Sequence, residues 1–303
     1  MEVCDLVFPE SALPQLLSFA ALSDWPNGDD DRAFQVGEHR LRGNFYHTMG
    51  RKRLVVRRLP GNIPSVEDLG IPTSFAEMVI GAESGIALVC GPMGHGKSTT
   101  LASLLQRRLQ SNDGHCVTIE RPIEYLLKGK YPLQVSQREV GTCVESFALA
   151  LRSALRQRAS TIMVQEIIDA DSALAAIHAA NTGHFVLGTL HTGRVSLSIE
   201  RLLQLIPPEK AHNVEAVLSE VLRGVMCQRL IKKQFNGVVA IHEVALKTPS
   251  ISNHIRKRNF AAIQGELDTG SAHGLLSFHK SIDEKVNRGF IASSDRGRIL
   301  AQL

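Results

Sequence analysis

The sequence predicts an α/β protein: a parallel sheet wrapped by helices, preceded by a smaller N-terminal domain with a few strands. Three observations predict it. From about Thr73 onward, short apolar runs alternate with helical patterns. One run, Ile86-Ala87-Leu88-Val89-Cys90, leads straight into GPMGHGKS at residues 91–98. Several other runs end in acidic residues or histidine, the arrangement of an open sheet with a site beyond its strand ends.

The first sixty residues carry an acidic run, Asp29-Asp30-Asp31, and alternating segments such as His39-Arg40-Leu41-Arg42 and Leu54-Val55-Val56, which read as a small domain over 1–60. Leu59-Pro60-Gly61-Asn62-Ile63-Pro64 opens a linker over 61–72, and the main domain fills 73–303. After the strand at 86–90, Leu101, Leu104, Leu105 and Leu109 fall on one face of a helix, with Gln106, Arg107 and Gln110 elsewhere. Cys116-Val117-Thr118-Ile119 is a strand ending at Glu120. A helix near Glu145 places Phe147, Leu151, Ala154 and Leu155 together. Thr161-Ile162-Met163-Val164 is a strand ending at Gln165-Glu166. Asp171 to Ala180 is helical with Gly183 as its stop, and Phe185 to Leu190 is a strand ending at His191. Past Pro207-Pro208, Val214, Val217, Leu218, Val221, Leu222 and Val225 keep the spacing of a single helix stripe. Asn236-Gly237 predicts a tight hairpin, and the tail from Pro249 reads as mostly helical.

With 303 residues, 44% of them apolar, the chain is long enough for a full core and about two domains. No apolar run approaches the ~20 residues of a membrane span, and the MEVCDLVFPE start is acidic where a signal peptide is basic, so a cytoplasmic protein is expected. Cys4, Cys90, Cys116, Cys143 and Cys227 include no Cys-x-x-Cys pair, which argues against zinc or a disulfide framework. The net charge of +4 is spread over scattered basic clusters, so nucleic-acid binding is not expected.

GPMGHGKS has the Gly-x-x-x-x-Gly-Lys-Ser spacing of a phosphate loop. A triphosphate needs several backbone N–H groups directed inward at once, which a glycine-rich turn opening into a helix N-terminus provides. Gly91, Gly94, His95, Gly96, Lys97, Ser98 and Thr99 are therefore the expected ATP contacts, with Lys97 on the β/γ-phosphates and the Ser98 hydroxyl on Mg²⁺. Phosphoanhydride hydrolysis also needs one carboxylate for Mg²⁺ and one to orient the attacking water, and Glu124 and Glu166 are the strand-end candidates. His191, just past a strand, fits a hydrogen-bonding sensor of the γ-phosphate.

From about Asp31 to Lys257 the chain resembles the PilT-like secretion and pilus ATPases. The resemblance is carried by GPMGHGKSTTLAS, TIERPIEY, SQREV with SFALALRSALR, IMVQE and NTGHFVLGTLHT. It implies a RecA-like ATPase domain behind a shortened, PAS-like N-terminal domain, assembled as a hexameric ring. It further implies that Glu124 serves the Asp box and holds Mg²⁺, that Glu166 is the catalytic glutamate, and that His184 and His191 are the His-box pair. By the same resemblance HRLRGN, with Arg40 and Arg42, and Arg57 as a third basic position are expected to serve the nucleotide of the neighbouring subunit. The partners implied are an inner-membrane platform protein and, in some rings, a paralogous ATPase. The absence of paired cysteines, and Ile251, Asn253, Ile255 and Arg256 in the pattern of the AIRNLIRE segment, favour the retraction side of the family. Arg121 stands where the Asp box has aspartate, Gln165 where a glycine precedes the catalytic glutamate, and Ile168 where an arginine is usual. A cation at 121 is expected to pair with Glu120 or Glu124 and weaken Mg²⁺ handling. A poorly hydrolysing regulatory paralogue and a nucleic-acid translocase on the same core are the alternatives.

Overall fold

A computed structural model describes residues 13–20, 25–131, 134–210, 213–269 and 274–303. Cys4 and the acidic start lie outside the described residues. The N-terminal part is an antiparallel sheet of three strands, β1 (Asp30–Val36), β2 (His39–Thr48) and β3 (Arg51–Arg58), with β2 in the middle, beside a short helix α1 (Leu13–Phe19). Phe34 and Phe45 fill one face of this sheet. Trp25 packs edge-on against Phe45 with ring centroids 5.2 Å apart, giving the small unit a core of its own. Residues 59–72 then cross to the main sheet without helix or strand.

The main sheet has seven strands: β4 (Gly85–Cys90), β5 (His115–Glu120), β6 (Val135–Glu139), β7 (Ala159–Val164), β8 (Phe185–Leu190), β9 (Leu222–Lys232) and β10 (Val238–Leu246). Their order is β10-β9-β4-β8-β7-β5-β6, parallel throughout except for the antiparallel β9–β10 pair at one edge. Alternation along β4 divides the core between the two faces. Ile86, Leu88 and Cys90 face a layer containing α4 (Phe147–Ala154), α5 (Ala170–Asn181), α6 (Val195–Gln204) and α7 (Val214–Val221). The C-terminal helices α8 (Pro249–Arg256), α9 (Phe260–Thr269) and α10 (Phe278–Asn287) extend that layer, and α11 (Arg296–Leu300) follows them. Ala87 and Val89 face the other layer, α2 (Thr73–Gly81) and α3 (Lys97–Ser111), where Leu101, Leu104, Leu105 and Leu109 are buried as their spacing predicts.

Two readings are corrected. The apolar stripe from Val214 is not one helix: α7 stops at Val221, and Leu222 and Val225 belong to β9. A strand flanked on both sides is apolar at consecutive positions, so its run extends a helical stripe without breaking it. Gly224 was the mark of the change, because a Cβ there would sit 2.9 Å from Met78 Cε. The β9–β10 hairpin is present, but Lys232 pairs with Val238, so residues 233–237 form a longer loop in place of a two-residue turn. The loop is closed by the Lys233 N–H donating to Gly237 O at 3.0 Å. Edge strand β6 was not anticipated, since VSQRE offers little apolar signal.

Candidate active site

Strand β4 ends at Cys90, and residues 91–96 turn back into α3. Gly94 and Gly96 have φ of +75° and +82°, and a Cβ at Gly91 would lie 2.4 Å from the backbone oxygen of Gln228, so the turn requires its glycines. Helix α3 has no side-chain N-cap. Its first N–H groups are thus left for an anion, with the helix dipole reinforcing the attraction.

Lys97 is buried. Its ammonium donates to Gly91 O and Pro92 O, both at 2.9 Å, and stands 3.3 Å from His191 Nδ1. Burial lowers its pKa, with the Glu166 carboxylate acting in the opposite direction. His191 Nε2 in turn meets Glu166 Oε1 at 3.2 Å, so three functional groups from β4–α3, β8 and β7 form one hydrogen-bonded chain. Both His191 and Glu166 remain well exposed, at 37% and 42% of their side-chain surface. They can therefore exchange partners with a phosphate or a water without leaving a buried group unpaired.

Across the site the segment after β5 carries Glu124. Arg42 reaches its Oε1 at 3.2 Å and also pairs with Asp31 at 3.1 Å, while Arg40 donates to Ile123 O at 2.8 Å and Glu124 O at 3.2 Å. The N-terminal sheet is thereby tied to the Glu124 segment of its own chain. Arg57 lies opposite Arg42 in the β2–β3 register, on the same face as Arg40, but is exposed. Ser98, Glu120, Glu124, Gln137 and Gln165 share one crevice beside α3.

Glu120, buried at 5% exposure, accepts from Thr118 Oγ1 at 2.6 Å and Gln137 Nε2 at 2.9 Å. Burial pushes its carboxyl up to about 7 against the pull of those hydrogen bonds. Tyr125 OH meets Thr99 Oγ1 at 2.8 Å and joins this segment to α3. Nothing in the sequence marks Gln137 or Tyr125: the polar VSQRE segment lacks the apolar signal of a strand, and a lone tyrosine after an acidic segment carries no spacing signal.

The expected pairing of Arg121 with Glu120 or Glu124 is not formed. Glu120 is taken by Thr118 and Gln137, Glu124 by Arg42, and the exposed Arg121 enters no ion pair among the described residues. Its backbone N–H instead donates to Gln165 Oε1, so the two departures from the motif meet each other. Ile168 is 52% exposed. His184 is not brought to the site. It precedes β8 at the opposite end of the strand from His191, and its ring faces Ala179 O at 3.2 Å. Six residues of strand separate the two histidines, roughly 20 Å.

The donors available to a divalent cation are the Ser98 hydroxyl and carboxylates, hard oxygens of the kind Mg²⁺ takes beside phosphates and water. Among the described residues no group of three or more His, Cys, Asp or Glu is placed to hold a metal ion.

The model of the type II/IV secretion system protein family matches residues 33–291. The chain belongs to that family. It is 38% identical over 265 residues to the type IV pilus retraction ATPase PilT of Pseudomonas aeruginosa, covering 87% of this chain and 76% of that protein. It is 36% identical over 264 residues to YggR of Escherichia coli, a protein described as uncharacterized, covering 87% and 80%. Among solved structures, the pilus retraction motor PilT with bound ADP superposes with a TM-score of 0.80 at 34% identity, over 96% of this chain and 80% of that one. The chain is thus a nucleotide-binding ATPase of this family, and its α/β fold with a parallel-sheet core matches the PilT structure. No helix among the described residues is long and apolar enough to cross a membrane.

Proposed function

We propose that this protein is a ring-forming motor that hydrolyses ATP to drive retraction of a type IV pilus, or the equivalent step of a related secretion apparatus. The observation that carries this reading is the chain of contacts Lys97–His191–Glu166 at the strand ends, faced by the arginines of the N-terminal sheet. Gly91, Gly94, His95, Gly96 and Thr99 shape and support the cradle, and Lys97 exchanges its two carbonyls for the β/γ-phosphates. Glu166 orients and deprotonates the attacking water, and His191 carries the state of the γ-phosphate to it. Ser98 and Glu124 would hold Mg²⁺, which supplies charge neutralisation on the phosphates. Arg40, Arg42 and Arg57 serve the nucleotide of a neighbouring subunit in a hexamer. The ring works at the cytoplasmic face of the inner membrane against a platform protein, alone or with a paralogous ATPase. An arginine acting in this way contributes about 10³–10⁵ in rate, which makes assembly a condition of turnover.

Steady-state phosphate release from the assembled oligomer tests the reading, with Lys97→Ala as the background. Release well above that background supports a motor. Release equal to it supports a regulatory ring that binds nucleotide without turning it over, a reading favoured by one observation, the Gln165 side chain lining the crevice in place of a glycine.

A further inference from the structure

Gln228, midway along β9, is 3% exposed, and its amide is committed to the phosphate loop and to two neighbours. Its Nε2 donates to His95 O at 2.8 Å, and a carbonyl can only accept, which fixes the orientation of the amide. Oε1 must then receive its other two partners as donors: Thr100 Oγ1 at 2.8 Å and His242 Nε2 at 3.3 Å. His242 lies directly across the β9–β10 ladder from Gln228 and is itself buried, its backbone N–H donating to Ser281 Oγ at 3.0 Å. Burial, with the Lys285 ammonium adding to it, pushes the imidazole down to about 3, so the ring is neutral; because Oε1 can only accept, the ring proton sits on Nε2, facing the amide.

The His95 carbonyl matters because of what shares its peptide plane. In a trans peptide the C=O and the next N–H point in opposite directions. Holding His95 O against β9 turns the Gly96 N–H away from the strand, and among the described residues that N–H has no backbone acceptor. The His95 ring is held to the same strand, with Nδ1 accepting from the Leu230 N–H at 2.9 Å. The tip of the loop is therefore fixed to β9 at two points, independently of any phosphate.

We infer that Gln228 is a positioning residue of the nucleotide site: oriented by His242, it presets the Gly96 N–H for a phosphate oxygen, so that the β9–β10 hairpin sets nucleotide affinity. The inference rests on residues 91–98 being the nucleotide site. Removing the clamp leaves the His95–Gly96 peptide free to rotate, and that rotation has to be reversed each time a nucleotide binds. ATP and ADP are penalised alike, while the reacting groups Glu166 and His191 are untouched.

The test is calorimetric titration of full-length protein with ADP and ATP, together with kcat at saturating ATP. Gln228→Met, similar in length but without amide hydrogen bonds, is expected to weaken both nucleotides about tenfold and change kcat less than about threefold. His242→Ala is expected to weaken them about threefold in the parent and not at all in the Gln228→Met background, since its effect passes through the amide. Affinity within twofold of the parent for Gln228→Met, or an equal His242→Ala effect in both backgrounds, overturns the inference. Thr100→Val, which deletes one donor to Oε1 at nearly constant volume, is judged by the same twofold criterion if Gln228→Met does not fold. Lys97→Ala, run alongside, separates the two levels. If it too leaves binding unchanged, the assignment of the loop fails; if it alone abolishes binding, only the role of Gln228 fails.

Discussion

Glu166 and His191 meet at the ends of neighbouring strands, and their partial exposure lets the carboxylate reach water. Glu166→Gln keeps the hydrogen bond to His191 but removes the proposed base. Its expected outcome is ATP binding close to the parent and turnover lower by about 10² or more, read by titration and phosphate release. Glu120 has a different consequence. Its carboxyl is raised to about 7 by burial, so the folded protein holds that proton more tightly than the unfolded chain does. This contribution to stability is complete below the ordinary glutamate value near 4.5 and is lost as pH rises through about 7, amounting to about 3 kcal/mol. Glu120→Gln should be near neutral at pH 4.5 and stabilising by up to that amount at pH 8, as measured by denaturant midpoints. Single residues were legible where they ended an apolar run, as Glu166 and His191 do. Gln228 was not legible, because a glutamine inside a strand has no marked spacing and its importance comes from a loop 133 residues earlier.

Among elements, α3 and β9 show the two outcomes of reading periodicity. The leucines of α3 lie over one face of the sheet and nothing follows them that prolongs the stripe, so helix and face were both readable. Leu104 is fully buried there, and Leu104→Ala should cost about 2–5 kcal/mol in denaturant unfolding through the cavity it leaves. In β9 the local pattern is overruled by position in the sheet. Placed between β4 and β10, the strand is buried on both faces over most of its length, and its apolar run fits a helix as well as a strand. Edge strand β6 fails in the opposite sense: its polar sequence is held as a strand by pairing with β5 alone. Both misses lie outside the β4, β5, β7 and β8 series that delivers the loop, the acidic segment, Glu166 and His191, which is why the site was clearer in the sequence than the sheet's borders.

At the scale of the whole molecule, the N-terminal sheet and the catalytic sheet are joined where the chemistry is expected. Arg42 contacts Glu124 of its own chain, so service to a neighbour's nucleotide requires that pair to open. Mixing Lys97→Ala subunits with Arg42→Ala subunits should restore phosphate release at mixed interfaces, where an intact loop meets an intact arginine. Mixed rings, verified by mass, that stay as inactive as either parent would remove the role in trans. The segment at 123–124 presents one carboxylate to the crevice and three acceptor atoms to the guanidinium groups above it. Whatever draws that carboxylate inward also pulls on the handle by which the smaller domain is held. Glu124 is thus a point at which occupancy of the crevice and the position of the smaller domain are coupled.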